Sequence, residues 1–186
     1  MAYAALLSPL QFAITSPSRD WAPPGSPRES DLPDDEPRRL RSMPRVLIVD
    51  DHAFIRRGIQ SILHASGEWE LVGEAENGIN AIRMAVELKP DFIVMDVSMP
   101  EMNGIEATRS IHRDLPNIKI VLLTLHDSAE LVRSAFRAGA HAYLLKSEAE
   151  QELIRALRVV SGDGTYISPK VDPSVVKNIP GLSEQH

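Results

Sequence analysis

The sequence predicts an α/β domain: a parallel five-stranded sheet in the order 2-1-3-4-5 with helices on both faces. Three observations predict it. Five short apolar runs alternate with segments whose apolar residues recur every three to four positions. Runs such as VLIV (46–49) and FIVM (92–95) are continuous rather than alternating, as in strands buried on both faces. Four of the five runs end directly on a polar, chemically able residue, which gathers chemistry along one edge of a parallel sheet. The second run is the exception and is therefore placed at the sheet's margin.

The elements follow in order. VLIV is the first strand, and Ile55, Ile59, Ile62 and Leu63 mark the helix after it. WELVGEA (69–75) is a weaker, partly alternating strand. Ile79, Ile82, Val86 and Leu88 mark a helix that stops at Lys89-Pro90, because proline cannot continue it. FIVM is the third strand, and a helix runs from Gly104 to His112. Pro116-Asn117 closes that segment. IKIVLL (118–123) is a strand, residues 127–137 a helix, and HAYLL (141–145) the last strand. Leu153, Ile154, Leu157 and Val160 mark the final helix, which ends at Gly162.

Three regions are expected: a leader (1–43), a folded domain (44–162) and a tail (163–186). Seven of the 14 prolines (Pro9, Pro17, Pro23, Pro24, Pro27, Pro33, Pro37) lie in the leader, and PRESDLPDDEPRRLR (27–41) has almost nothing to bury, so it reads as disordered. Its apolar opening lacks a basic start and is broken by Pro9 and Gln11, which argues against a signal peptide. Met43-Pro44-Arg45-Val46 reads as a natural start, with the leader then a start-site artefact; an intact native mass containing residues 1–42 would exclude this. No run approaches a membrane span. With no cysteine there is no disulfide, thiolate catalysis or thiolate metal site, which fits a cytoplasmic protein. A net charge of −6 argues against wrapping nucleic acid by charge alone.

Candidate site residues stand at the strand ends. VLIV runs into Asp50 and Asp51, FIVM into Asp96, IVLL into Thr124 and AYLL into Lys146. Three carboxylates gathered at one edge repel one another, and a divalent cation resolves the repulsion. An oxygen-only donor set selects a hard ion, Mg²⁺. With Lys146 and Thr124 added, the parts match a phosphoryl-transfer site with a carboxylate nucleophile. Each residue alone has a plainer explanation: Asp51 a helix cap, Lys146 a solvated loop residue, Thr124 a strand-end filler. Their joint placement is what argues for chemistry. His52 and His126 flank the site in positions expected to be solvated, and Met95, Met99 and Met102 read as packing.

From about Arg45 to Ser168 the chain resembles the receiver domain of two-component response regulators. The matching text is VLIVDDHAFIRRGI, GEAENGINAI, PDFIVMDVSMPEMNGIEATRSI, IVLLTLHD and AFRAGAHAYLLKS, with 28 residues from Asp96 to Thr124 and 22 from there to Lys146. DDHA, MNGIEATR and AGAHAYLLKS are more specifically similar to the NarL/FixJ-type subfamily. The resemblance implies a flavodoxin-like (βα)5 fold and a phosphoacceptor, Asp96, served by a sensor histidine kinase. It implies Mg²⁺ held by Asp50, Asp51, Asp96 and the backbone carbonyl of Ser98. Thr124 would swing toward the phosphoryl group, Tyr143 would follow it inward, and Lys146 would pair with it. The fourth and fifth helices and the last strand would then repack, and phosphorylation would favour a homodimer. Ser98 departs from the commonest pattern beside the attacking water, which bears on the lifetime of the phosphorylated state. Ser147 stands where many receivers carry proline.

Only PKVDPSVVKNIPGLSEQH follows Ser168, 18 residues that are not basic. That is too short for the helix-turn-helix domain usual in the subfamily, so no DNA-binding domain is expected in this chain. GTYISPKV resembles the interdomain linker and GLSEQH the opening of the missing domain. Three readings follow: a stand-alone receiver acting through protein contacts, a truncated transcription regulator, and an aspartyl-nucleophile phosphatase. The last fits poorly because Ser98 stands where such enzymes carry their general acid. The chain is accordingly read as a switch with no enzymatic turnover of its own beyond self-phosphorylation and autodephosphorylation.

Overall fold

The computed structural model describes residues 43–172. The expected leader, apart from its last residue, and positions 173–186 of the expected tail lie outside the described residues. The elements are β1 (Arg45–Val49), α1 (Ala53–Ser66), β2 (Glu70–Ala75), α2 (Gly78–Leu88), β3 (Phe92–Asp96), α3 (Gly104–Asp114), β4 (Lys119–Thr124), α4 (Ala129–Ala138), β5 (Ala142–Leu145), a 3-10 turn (Lys146–Glu148), α5 (Ala149–Ser161) and β6 (Tyr166–Ile167). Every strand pairing is parallel and the order is β2-β1-β3-β4-β5-β6. The alternation of strand and helix thus yields the expected doubly wound sheet with β2 at one margin.

Pleating divides the core into two layers. Leu47, Val49, Ile93, Met95, Ile120 and Leu122 face α2, α3 and α4. Val46, Ile48, Phe92, Val94, Val121 and Leu123 face α1 and α5. All are buried, each contributing about 1.5–3 kcal/mol as a fully buried aliphatic or aromatic side chain. Met95 and Met99 are buried and Met102 packs against them, as expected. Among the described residues the buried Trp69 indole N–H has no acceptor, and its ring makes a T-shaped contact with Phe92 at 5.1 Å and 83°.

Caps place the helix starts. Asn77 accepts from Asn80 N at 2.8 Å, Asn103 from Glu106 N at 2.9 Å and Ser128 from Leu131 N at 3.3 Å. The Ser128 cap is why α4 starts at Ala129 rather than near residue 127.

The sheet departs from expectation in one respect: it has a sixth strand. Tyr166 and Ile167 lie opposite Ala142 and Tyr143 of β5, in a stretch read as linker. Two residues are too few for any periodicity to show. The buried Ser168 extends the pairing, its N–H donating to Tyr143 O at 2.9 Å and its hydroxyl oxygen accepting from Leu145 N at 2.9 Å.

Candidate functional site at the carboxyl edge of the sheet

Asp50 leaves β1 fully buried, and its backbone N–H donates to Ala75 O of β2 at 3.1 Å. Its Oδ1 accepts the His52 N–H at 2.8 Å. The cap position of α1 belongs to His52, and its side chain makes no capping bond; Asp51 is therefore not a helix cap. Asp51 is partly exposed, and its Oδ1 meets His52 Nδ1 at 2.8 Å. Donor atoms of Asp50, Asp51 and His52 all lie within 4.8 Å of one another, close enough to share one cation.

Asp96 ends β3 at 3% exposure. It meets Asp50 through Lys146, whose Nζ lies 2.7 Å from Asp50 Oδ2 and 2.9 Å from Asp96 Oδ2. The ammonium therefore already holds together two buried carboxylates from different strands. Burial pushes the Asp96 carboxyl above its ordinary range, against the Lys146 hydrogen bond and charge, which pull it down; the Asp50 charge adds to the rise. For Lys146 burial opposes the charged form, but its bonds to Asp50 and Asp96 outweigh that and hold it above the usual lysine value. Asp96 lies outside the Asp50–Asp51–His52 group.

The β3–α3 loop is shaped by close approach. A Cβ on Gly104 would stand 2.1 Å from the Asp96 carbonyl oxygen, so only glycine lets α3 start there. The Gly104 N–H donates to Val97 O at 2.9 Å. Glu101 adopts φ +65° in this loop, and its carboxylate accepts from Asn77 Nδ2 at 2.9 Å. Ser98 is exposed, and its backbone N–H helps hold the Asp96 carboxylate.

Thr124 is fully buried at the end of β4, and its hydroxyl oxygen accepts from His126 N at 3.1 Å. Tyr143 is also fully buried, its hydroxyl donating to His126 O at 2.9 Å. Burial pushes the Tyr143 phenol up, and a hydrogen bond with Thr124 opposes this. The two expected switch side chains thus already touch, with the tyrosine inward. His126 enters through its backbone, and its side chain is exposed as expected. The Lys146–Ser147 peptide is trans, as no cis bond occurs among the described residues.

Sequence reasoning misses Arg56. It is 9% exposed, and its Nη1 donates to Asp50 O at 2.7 Å while Nε reaches Glu74 at 2.8 Å and Nη2 reaches Glu76 at 3.3 Å. The planar fork ties the β1–α1 corner to the end of β2. A signal existed: Arg56 is three residues before Ile59 and seven before Leu63, on the buried stripe of α1.

Residues 46–158 match the response regulator receiver domain, and the chain belongs to that family. Among relatives, it is 39% identical over 133 residues to the transcriptional regulatory protein DegU of Brevibacillus brevis, covering 72% of this chain and 56% of that protein. It is 43% identical over 114 residues to the response regulator protein VraR of Staphylococcus saprophyticus, covering 61% and 54%. Among solved structures, a LuxR-family two-component response regulator from Aurantimonas sp. SI85-9A1 superposes with TM-score 0.67 at 33% identity, covering 70% of this chain and 93% of that one. The response regulator domain of Thermotoga maritima CheB does so with TM-score 0.59 at 31% identity, covering 63% and 95%. The chain spans less than two thirds of the length of the curated relatives it matches. Among the described residues no helix is long and apolar enough to cross a membrane.

Proposed function

We propose that the acidic pocket is a phosphoryl-accepting switch with Asp96 as the acceptor. The observation that carries this is the Lys146 ammonium bridging Asp50 and Asp96 at 2.7 and 2.9 Å. A buried cation beside a strand-end carboxylate is placed to take up one oxygen of an incoming phosphoryl group. The donor is the phosphohistidine of a sensor histidine kinase, the partner class that the family membership supports. An Asp96 carboxylate oxygen attacks phosphorus, the P–N bond breaks, and the departing imidazole takes a proton. Lys146 steers the anionic donor and favours the ionised form of Asp96 against its burial. Thr124 supplies a hydroxyl from β4, exchanging its contact with Tyr143 for the phosphoryl group.

The donor chemistry fits a hard divalent cation. Asp50, Asp51 and Asp96, with the Ser98 carbonyl, would hold Mg²⁺. When bound, Mg²⁺ neutralises charge on the transferring oxygens. Turnover is limited to self-phosphorylation and loss of the phosphoryl group, the protein acts in the cytoplasm, and the phosphorylated form associates with a second copy. Because relatives bear the name transcriptional regulatory protein, control of transcription is the output of the wider protein to which such a domain belongs.

The test is incubation with Mg²⁺ and acetyl phosphate beside Asp96→Asn, read by intact mass. A single phosphoryl adduct on the wild type, absent from the variant and absent without Mg²⁺, is expected. An adduct that persists in Asp96→Asn would refute the assignment.

A further inference from the structure

β2 ends on no residue assigned to the acidic pocket, yet its end is bonded to both loops that border it. Asp50 stands one residue beyond the ladders of β1, which stop at Val49 opposite Ala75 of β2 and Met95 of β3. The Asp50 N–H still donates to Ala75 O at 3.1 Å. Its carbonyl accepts from Arg56 Nη1 at 2.7 Å. That carbonyl belongs to the peptide joining Asp50 to Asp51. A guanidinium from the first turn of α1 therefore sets the plane of this peptide, and with it the direction in which Asp51 leaves the backbone.

The guanidinium is itself held. Arg56 is 9% exposed, its Nε donates to Glu74 Oε2 at 2.8 Å and its Nη2 to Glu76 Oε1 at 3.3 Å. Three bonds from one rigid plane fix position and tilt together, which the compact ammonium of a lysine cannot do. The same corner reaches the next loop. Asn77 Nδ2 donates to Glu101 Oε1 at 2.9 Å and the Gly78 N–H to Met102 O at 3.2 Å, so the end of β2 also holds the β3–α3 loop in which Ser98 stands.

Charge alone gives no reason for a buried cation here. A positive group beside a cation site repels the cation, and Arg56 is bonded to a member of the Asp50–Asp51–His52 group. What Arg56 contributes is geometry. Mg²⁺ demands a near-ideal octahedron with oxygens at about 2.0–2.1 Å, whereas Ca²⁺ accepts oxygens at about 2.3–2.6 Å in flexible arrangements. Carboxylates on a locked backbone favour the exacting ion, and a loosened backbone forfeits that preference.

We propose that Arg56 is a positioning residue that sets the cation preference of the acidic pocket, Mg²⁺ over Ca²⁺, by locking the Asp50–Asp51 peptide. The proposal rests on the reading above that these carboxylates take a hard divalent cation.

Calorimetric titration of the whole chain with MgCl₂ and, separately, with CaCl₂ tests this without any phosphoryl donor. Asp51→Asn is the control that ties the heat to this pocket, and circular dichroism checks the fold of each variant. Arg56→Lys keeps the charge and loses the fork. Its Kd for Mg²⁺ should rise about tenfold, the low end of what a partner supporting a metal ligand is typically worth, while its Kd for Ca²⁺ changes by less than about threefold. Equal changes for the two cations, or none, overturn the proposal, because an effect of charge acts on both alike. Should Arg56→Lys not fold, Glu74→Ala decides: it leaves Arg56 in place but frees Nε, and the preference for Mg²⁺ should fall in the same direction. An unchanged preference there also overturns the proposal. Wild-type Mg²⁺ binding that Asp51→Asn abolishes, with the preference intact in Arg56→Lys, removes the role of Arg56 and leaves the cation reading standing. A wild type that binds neither cation overturns both.

Discussion

Replacing Lys146 by methionine keeps most of the apolar stem and removes the ammonium. In the wild type that ammonium stands 2.7 and 2.9 Å from carboxylates whose side chains are 0% and 4% exposed. Removing one partner from a buried ionic cluster costs about 3–5 kcal/mol because the remaining charge is uncompensated. A carboxylate can escape by taking a proton, which from an ordinary pKa near 3.9 costs about 4 kcal/mol at pH 7 but only about 1.5 kcal/mol at pH 5. The penalty is therefore capped at about 4 kcal/mol at pH 7 and should shrink to about 1.5 kcal/mol at pH 5. The sign is fixed by linkage. Without Lys146 the folded Asp96, already raised by burial, binds its proton more tightly than the unfolded chain does, so stability falls as pH rises from the unfolded carboxylate pKa toward the raised one. Urea unfolding followed by circular dichroism at pH 5 and pH 7 measures both values. Adding Asp50→Asn to Lys146→Met should recover much of the loss at pH 7, since one carboxylate then needs no partner. A penalty that is the same at both pH values, or under about 1 kcal/mol at pH 7, would refute the idea that Lys146 compensates buried charge here.

Two further expectations can be checked by similar means. Gly104→Ala should lose about 1–3 kcal/mol in urea unfolding and form the Asp96 adduct more slowly, because its methyl would sit 2.1 Å from the Asp96 carbonyl oxygen; Gly58→Ala on α1, with nothing within 4 Å, should be neutral or stabilising. Burial, with help from the Lys119 and His112 charges, pushes His141 down to about 4, so the fold holds it neutral while the unfolded chain takes up a proton near 6.5. Its contribution is complete above pH 6.5 and is lost as pH falls toward 4, by about 2 kcal/mol once solvent screening of this half-buried ring is allowed for. His141→Asn should flatten the stability profile over that window.

Much of this arrangement was legible because burial and topology leave plain marks. Strands covered on both faces must be continuously apolar, so the polar residue that ends each run announces the carboxyl edge. Asp50, Asp96, Thr124 and Lys146 are located that way, and the weak ending of WELVGEA places β2 at the margin. What was not legible depended on side-chain reach. The sequence places Lys146 after the fifth strand but says nothing of whether its stem crosses to the first and third strands, which it does. Nor does it say that Asp51 turns to His52 while Asp96 reaches Asp50 through the Lys146 ammonium. Arg56 reads as a surface residue by type, and only its position on the Ile59–Leu63 stripe marks it as buried. β6 escapes because two paired residues show no period, and its hold comes from backbone bonds, the Ser168 hydroxyl and the buried Tyr166 and Val171, none of which a periodic pattern reveals.

The sixth strand also bears on how molecules of this protein meet one another. An exposed strand margin is a template for unwanted pairing with a neighbour's backbone. On the far side, β2 blunts its own margin with a register irregularity against β1 and with the exposed Glu70 and Glu74. On the near side β5 carries no charge, being Ala142-Tyr143-Leu144-Leu145, and left uncovered would be an apolar margin open to pairing. Covering it with Tyr166–Val171 removes that margin from the surface, so this short segment acts as a guard against aggregation.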